Sequence, residues 1–196
     1  MKKLKFWLIC LMVVIMSMQM TSITTYTTEI LSFQTRSEKR SKKTDTVFYH
    51  LILQNRIKSV LTKYGLPYDS NVIQLLLGTA AHESHLGKWM KQINGPALGL
   101  FQMEPNTIKD IQENYLKYRP QLRRQLLDVS NILDTSDFIS NIDHQIVYAR
   151  LHYLRVSSSV PVSLWGQAVY WKTYWNSYKG KGTVKRYVED YRRLVK

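Results

Sequence analysis

Cysteine is nearly absent from the 196 residues: Cys10 stands alone, which excludes an intramolecular disulfide and supports no thiol site. Acidic residues are scarce too, 14 against 28 Lys and Arg, for a formal net charge of +14. That balance favours polyanionic surroundings, nucleic acid, anionic lipid, or cell wall with its acidic peptides and polymers, without choosing among them. There is no series of alternating apolar and polar residues that would build β-hairpins, and no internal repeat. No nucleic-acid-binding motif accompanies the basic charge, so nucleic acid is not expected as a partner.

What is present begins with Met1-Lys2-Lys3-Leu4-Lys5, followed by an apolar run from Phe6 to Met20. A positive start before an apolar stretch has the form of an export signal. The run is short for a membrane span, but Thr21, Ser22 and Ile23 extend it. No clear A-x-A-like cleavage site follows, so residues 1–23 read as a signal peptide or a membrane anchor. Cys10 has no small residue before it of the kind a lipoprotein cysteine requires. Residues 24–46, rich in Thr and Ser and then basic (Arg36, Lys39, Arg40, Lys42, Lys43), lack core-forming side chains and read as a flexible linker. Of the net charge, +5 falls in the first 46 residues and +9 in the rest, so the basic excess is spread over the folded part.

Residues 47–196 carry apolar side chains at helical spacing and read as one predominantly α-helical domain with at most a small hairpin in the Gly95–Met103 loop. The expected helices run from Val47 to Tyr64 with Gly65 as a stop, and from a cap at Asp69, Ser70 or Asn71 to about Trp89. Further helices are expected over Pro105–Tyr118, Gln121–Val129, Thr135 or Ser136 to Val156, Ser163–Asn176, and from Thr183 onward. The small-sided stretch Gly78-Thr79-Ala80-Ala81 would let another helix approach closely.

The stretch AAHESHLGKWMKQINGPALGLFQMEP, Ala80 to Pro105, holds the candidate chemistry. Glu83 follows Leu76 by seven residues and Ala80 by three, which places it on the stripe of the helix that faces inward. Burial disfavours an ionised carboxylate and raises its pKa. A carboxylic acid still protonated near neutral pH can protonate a leaving-group oxygen. A Glu at a helix end that reaches water, or half of an ion pair, is the plainer alternative. After the turn at Asn94, Gly95 and Pro96, Gln102 stands between Phe101 and Met103, an amide among apolar neighbours placed to grip a polar ligand. Phe101 and Met103 read as loop core.

These residues resemble the motifs of the lytic transglycosylase family. Glu83-Ser84 after an apolar helix is similar to that family's ES motif, and Gly99-Leu100-Phe101-Gln102-Met103 before Pro105 is similar to its GLMQ motif. Tyr174-Trp175-Asn176 resembles its third motif, a Tyr-Asn pair, with Trp175 standing where the Tyr is expected. The resemblance covers roughly Val47 to the C-terminus, and the wording of GPALGLFQMEP and YWKTYWNS is most similar to phage or mobile-element versions. It implies an all-α, goose-type lysozyme-like fold. It implies cleavage of the β-1,4 bond between N-acetylmuramic acid and N-acetylglucosamine in peptidoglycan glycan strands, without a cofactor. One Glu, here Glu83, serves as acid and then base, while the sugar's own 6-hydroxyl attacks and leaves a 1,6-anhydro end. Ser84 would orient the substrate or the Glu, Gln102 would bind glycan, and Tyr174 or Trp175, with Asn176, would complete the substrate-binding set. With the N-terminal segment, this sets the protein in the periplasm or cell envelope, free or anchored in the inner membrane, or else in a virion.

Two readings stand beside it. The absence of a convincing second carboxylate fits the single-Glu lyase, since Glu104 suits a positive helix start and Asp110 and Glu113 fall on a polar face. A hydrolytic lysozyme on the same site is the near variant. The Trp175 departure also fits a non-catalytic wall-binding part of an envelope or virion assembly. His82-Glu83-Ser84-His85 is not a zinc HExxH motif: its His residues are three apart, and a third ligand would have to come from His144 or His152, so no metal is expected. The aromatic run Trp165, Tyr170, Trp171, Tyr174, Trp175, Tyr178 is expected to be mostly core, with one or two rings lining a groove.

Overall fold

Helices supply the regular structure of the described residues, and no strand forms among them; the loop after the second helix makes only isolated bridges, Lys91 with Leu98 and Leu98 with Met103. The computed structural model describes Ser32 and residues 49–130, 135–178 and 180–196. The chain divides into Met1–Asp45 and Thr46–Lys196. The expected signal or anchor at 1–23 lies outside the described residues, as does the linker at 24–46 apart from the helical Ser32. Among the described residues no helix is long and apolar enough to cross a membrane.

Helix α1 covers residues 49–63 and buries Leu53, Ile57, Val60 and Leu61. Gly65, at φ 56°, ends it, and the Leu66 N–H returns to the Leu61 carbonyl, the long-range bond of a left-handed helix stop. Helix α2, Ser70–Ser84, is capped by Asp69, whose side chain accepts from the Val72 N–H at 2.8 Å. It buries residues on every side (Val72, Ile73, Leu75, Leu76, Leu77, Gly78, Thr79, Ala80, Ala81), the pattern of a helix enclosed by others. Thr79 Oγ1 meets Tyr153 Oη at 2.8 Å, and Tyr187 Oη donates to the Leu75 carbonyl at 3.2 Å, so α2 is tied to two later helices. The Tyr187 ring end lies against Gly78, where a Cβ would collide with its hydroxyl. The small-sided stretch thus admits the last helix.

Helix α2 stops at Ser84, short of the expected Trp89. His85, Leu86 and Gly87 take φ values of 52°, 58° and 92°, a left-handed run that turns the chain away. The Leu86 N–H bonds back to the Ala80 carbonyl. Ser84 Oγ accepts from the Gly87 N–H at 2.8 Å and so rewards this turn over a further helical one.

Helix α3, Pro105–Ile111, opens with proline in its first turn and widens into a π-helical turn, Gln112–Leu116. The single short helix expected after Pro120 is two pieces, α4 (Pro120–Gln125) and α5 (Leu127–Ser130). The long helix expected from Thr135 to Val156 is likewise broken. Helix α6 covers Thr135–Ser140 and α7 covers Ile142–Leu154, because Asn141 leaves helical geometry and its side chain accepts from the N–H groups of Asp143 and His144. Ile142, next to the break, is exposed, while Ile146, Ala149 and Tyr153 further along are buried. Ser163 caps α8, Leu164–Trp171, which runs into a π-helical turn over Lys172–Asn176. Thr183 caps α9, Val184–Leu194.

Candidate active site

Glu83 sits in the last turn of α2, and its stripe does face inward. Its Oε1 accepts from the indole N–H of Trp171 at 3.0 Å. Trp171 is fully buried. Part of the Glu83 side chain remains open to a cleft of about 690 Å³, lined also by Gln102, His152, Trp175 and Asn176. Burial pushes the Glu83 carboxyl up to about 7, against the Trp171 hydrogen bond, which lowers it. The hydroxyls of Tyr153 and Tyr187 lie near enough to Glu83 to interact with it, and burial raises both, so they stay protonated.

The loop opposite is held by two side chains that grip one residue. Ser84 Oγ donates to the Leu100 carbonyl at 2.6 Å, and Gln145 Oε1 accepts from the Leu100 N–H at 2.6 Å. Gln145 spends its amide hydrogens on the carbonyls of Phe138 and Ile139. Gly99, at φ 76°, lets the loop come this close, since a Cβ there would lie 2.6 Å from Gln145 Oε1. Gln102, itself at φ 46°, donates to the carbonyls of Trp89 and Gly99, each at 2.9 Å. With both amide hydrogens engaged, Gln102 has its amide oxygen to offer a ligand, an acceptor for a hydroxyl or an N–H.

Of the expected contact residues, Gln102, Trp175 and Asn176 come together with Glu83 on the cleft. Two stand elsewhere. Ser84 is fully buried and absent from the cleft wall; its hydroxyl is committed to Leu100 and Gly87, so it positions the loop and not a ligand. Tyr174 packs edge-on against Tyr170 with ring centres 4.7 Å apart, outside the cleft, because the π-helical turn brings Trp175 to the cleft instead. The Trp175 ring packs against His152 and Tyr153, at 4.8 and 5.2 Å between centres. Lys172 Nζ donates to Asn176 Oδ1 at 2.7 Å and to the Gly180 carbonyl at 2.8 Å, fastening the turn that forms this wall.

Several residues on the cleft or buried behind it had no site role in the sequence reading. Trp171 counted only as one of six aromatics. His152 donates from Nε2 to the Tyr174 carbonyl at 2.8 Å, and burial keeps it below the ordinary imidazole value. Glu104 lines the cleft and makes no capping bond to the helix it precedes. His82, also on the wall, meets Asp190 of α9 at 2.9 Å from its Nδ1. Gln145 and Asp190 carried a legible signal: each is a polar residue on an apolar helical stripe, as Glu83 is. Among the described residues no group of three or more His, Cys, Asp or Glu is arranged to hold a metal ion.

The arrangement can deliver one proton from a protected carboxylic acid into a cleft whose wall offers an amide oxygen, an asparagine and an indole face. Comparison with protein-family models, with curated proteins and with solved structures found no match.

Proposed function

We propose that the protein is a peptidoglycan lytic transglycosylase with a lysozyme-like helical domain, and that Glu83 is its catalytic residue. The observation that carries this reading is a carboxyl held near pKa 7 by burial at the edge of a cleft, with its orientation set by the Trp171 N–H. The resemblance of Glu83-Ser84 and Gly99–Met103 to the family's motifs supplies the substrate class. Glu83 first gives its proton to the glycosidic oxygen between N-acetylmuramic acid and N-acetylglucosamine. The resulting carboxylate then takes the proton of the 6-hydroxyl as that oxygen closes on the anomeric carbon. Gln102 and Asn176 hold the glycan by hydrogen bonds, and the Trp175 ring offers an apolar face to a sugar. No cofactor enters these steps. An export signal or membrane tether at residues 1–23 would put the domain in the envelope, where its substrate lies; entry or lysis by a virion is the alternative setting.

Glu104 favours a second reading. It is a carboxylate on the same cleft, and a water-activating carboxylate would make the enzyme a hydrolase. Mass spectrometry of the sugar ends released from purified peptidoglycan separates the two. Anhydro ends support the lyase and reducing ends the hydrolase. Binding to wall without release of soluble fragments would sink both and leave the non-catalytic role.

A further inference from the structure

Three side chains, Asp190, His82 and Trp171, connect the last helix to Glu83. Asp190 is buried on the inner face of α9, and its Oδ2 meets His82 Nδ1 at 2.9 Å. Its Oδ1 accepts from Arg193 at 2.6 Å, and Arg186 approaches Oδ2 to 3.5 Å. Burial alone would raise the Asp190 carboxyl, but the bonds from Arg193 and His82 hold it below the ordinary value, so it is ionised and can only accept. His82 therefore carries its proton on Nδ1. The imidazole meets the Trp171 ring edge-on, with centres 4.5 Å apart and planes at 69°. Tyr187 packs against the same indole at 5.2 Å between centres, and a Cβ on Gly182 would lie 2.5 Å from Trp171 Cη2 and 3.0 Å from His82 Nε2. These neighbours pack against the buried indole, whose N–H is donated to Glu83.

We infer that His82, clamped by Asp190, is a positioning residue that braces Trp171 so that its N–H stays on Glu83. The inference rests on the reading of Glu83 as the acid. Its geometry gives a role to the buried carboxylate of α9 with two arginines on it: Asp190 holds the imidazole at Nδ1, and the same ring packs on the indole. A role confined to packing would affect stability and leave the titration of Glu83 alone. The groups facing Glu83 from the packed helices are Trp171, Tyr153 and Tyr187; His82, His152, Glu104 and Lys181 share its cleft.

The test is a carbon-13 NMR titration of the Glu83 carboxyl in the full chain, assigned with Glu83→Gln, paired with kinetics on purified peptidoglycan. His82→Phe keeps a ring but loses the clamp, His82→Asn keeps a donor toward Asp190 but loses the ring, and Asp190→Asn removes the charge. In each folded variant the Glu83 titration moves up by about half a unit, because a loosened Trp171 bond no longer favours the carboxylate. Removing the Asp190 charge would by itself move it down, so the sign separates bracing from field effects. The expected kinetic result is a roughly tenfold fall in kcat with KM within about twofold, the lower end of what outer partners of metal ligands carry. Arg193→Met, at the exposed end of the chain, is the milder probe should the buried variants not fold. Wild-type titration and wild-type kcat in the folded variants would overturn the inference. The titration reads the brace even if the wild-type protein cleaves no glycan, so the brace and the proposed activity fail separately.

Discussion

Trp171 Nε1 lies 3.0 Å from Glu83 Oε1, a hydrogen bond between residues 88 positions apart in the chain. It gives the buried carboxyl a fixed direction and opposes, without cancelling, the rise that burial imposes. Trp171→Phe keeps an aromatic ring, with some loss of volume, and deletes the donor. Its Glu83 carboxyl should titrate above that of the wild type, and the basic limb of the activity profile should move up with it. Rates of murein solubilisation across pH 5 to 9 check this; an unmoved limb would mean that the bond does not act on the acid.

Glu83 also makes stability depend on pH. An unfolded Glu ionises near 4.5, while the folded one holds its proton to about 7. Between those values the unfolded chain has released a proton that the native state retains, so stability falls as pH rises through this window and stays lower above it. Glu83→Gln removes the penalty. The variant should be more stable than wild type by on the order of 3 kcal/mol above pH 7, with the gain vanishing below about pH 4. Denaturant unfolding at several pH values measures it.

The grip on Leu100 predicts two losses of different kind. Ser84→Ala leaves the Leu100 carbonyl and the Gly87 N–H without a side-chain partner and should cost about 1–3 kcal/mol. Gly99→Ala must accept a left-handed conformation and displace Gln145, and should cost about 2 kcal/mol or more. Both should raise KM, since Gln102 rides on the same loop. Thermal unfolding together with substrate-saturation curves tests the pair; a KM at the wild-type value would detach the loop from ligand binding.

Trp175 and Tyr174 offer a direct contrast. Trp175→Ala removes a cleft wall and should weaken glycan binding severalfold, consistent with about 1 kcal/mol or more for an aromatic contact. Tyr174→Phe alters a ring that packs on Tyr170 outside the cleft and should leave binding unchanged. Co-sedimentation with insoluble peptidoglycan distinguishes them.

The inward stripe of Glu83, the caps at Asp69, Ser163 and Thr183, and the stop at Gly65 were all readable, because each is set by residues a few positions apart. The break at Asn141 and the early end of α2 were not. Both are made by side chains, Asn141 and Ser84, that offer the backbone an alternative to the next helical bond, and apolar periodicity runs on past them. Trp171, Gln145 and Asp190 meet Glu83, Leu100 and His82 from across the chain, and no local pattern says which partner a polar residue on an apolar stripe will find. The π-helical turn after α8 adds the rotation that sends Trp175, and not Tyr174, to the cleft, which residue spacing on an α-helix could not convey.

The most direct measurement is release of soluble fragments from purified peptidoglycan by the full chain and by Glu83→Gln, read by mass spectrometry. The wild type should release muropeptides bearing anhydro ends, and the variant, folded and at least as stable, should release none above background. Equal release by the two proteins would contradict the assignment of Glu83 as the acid.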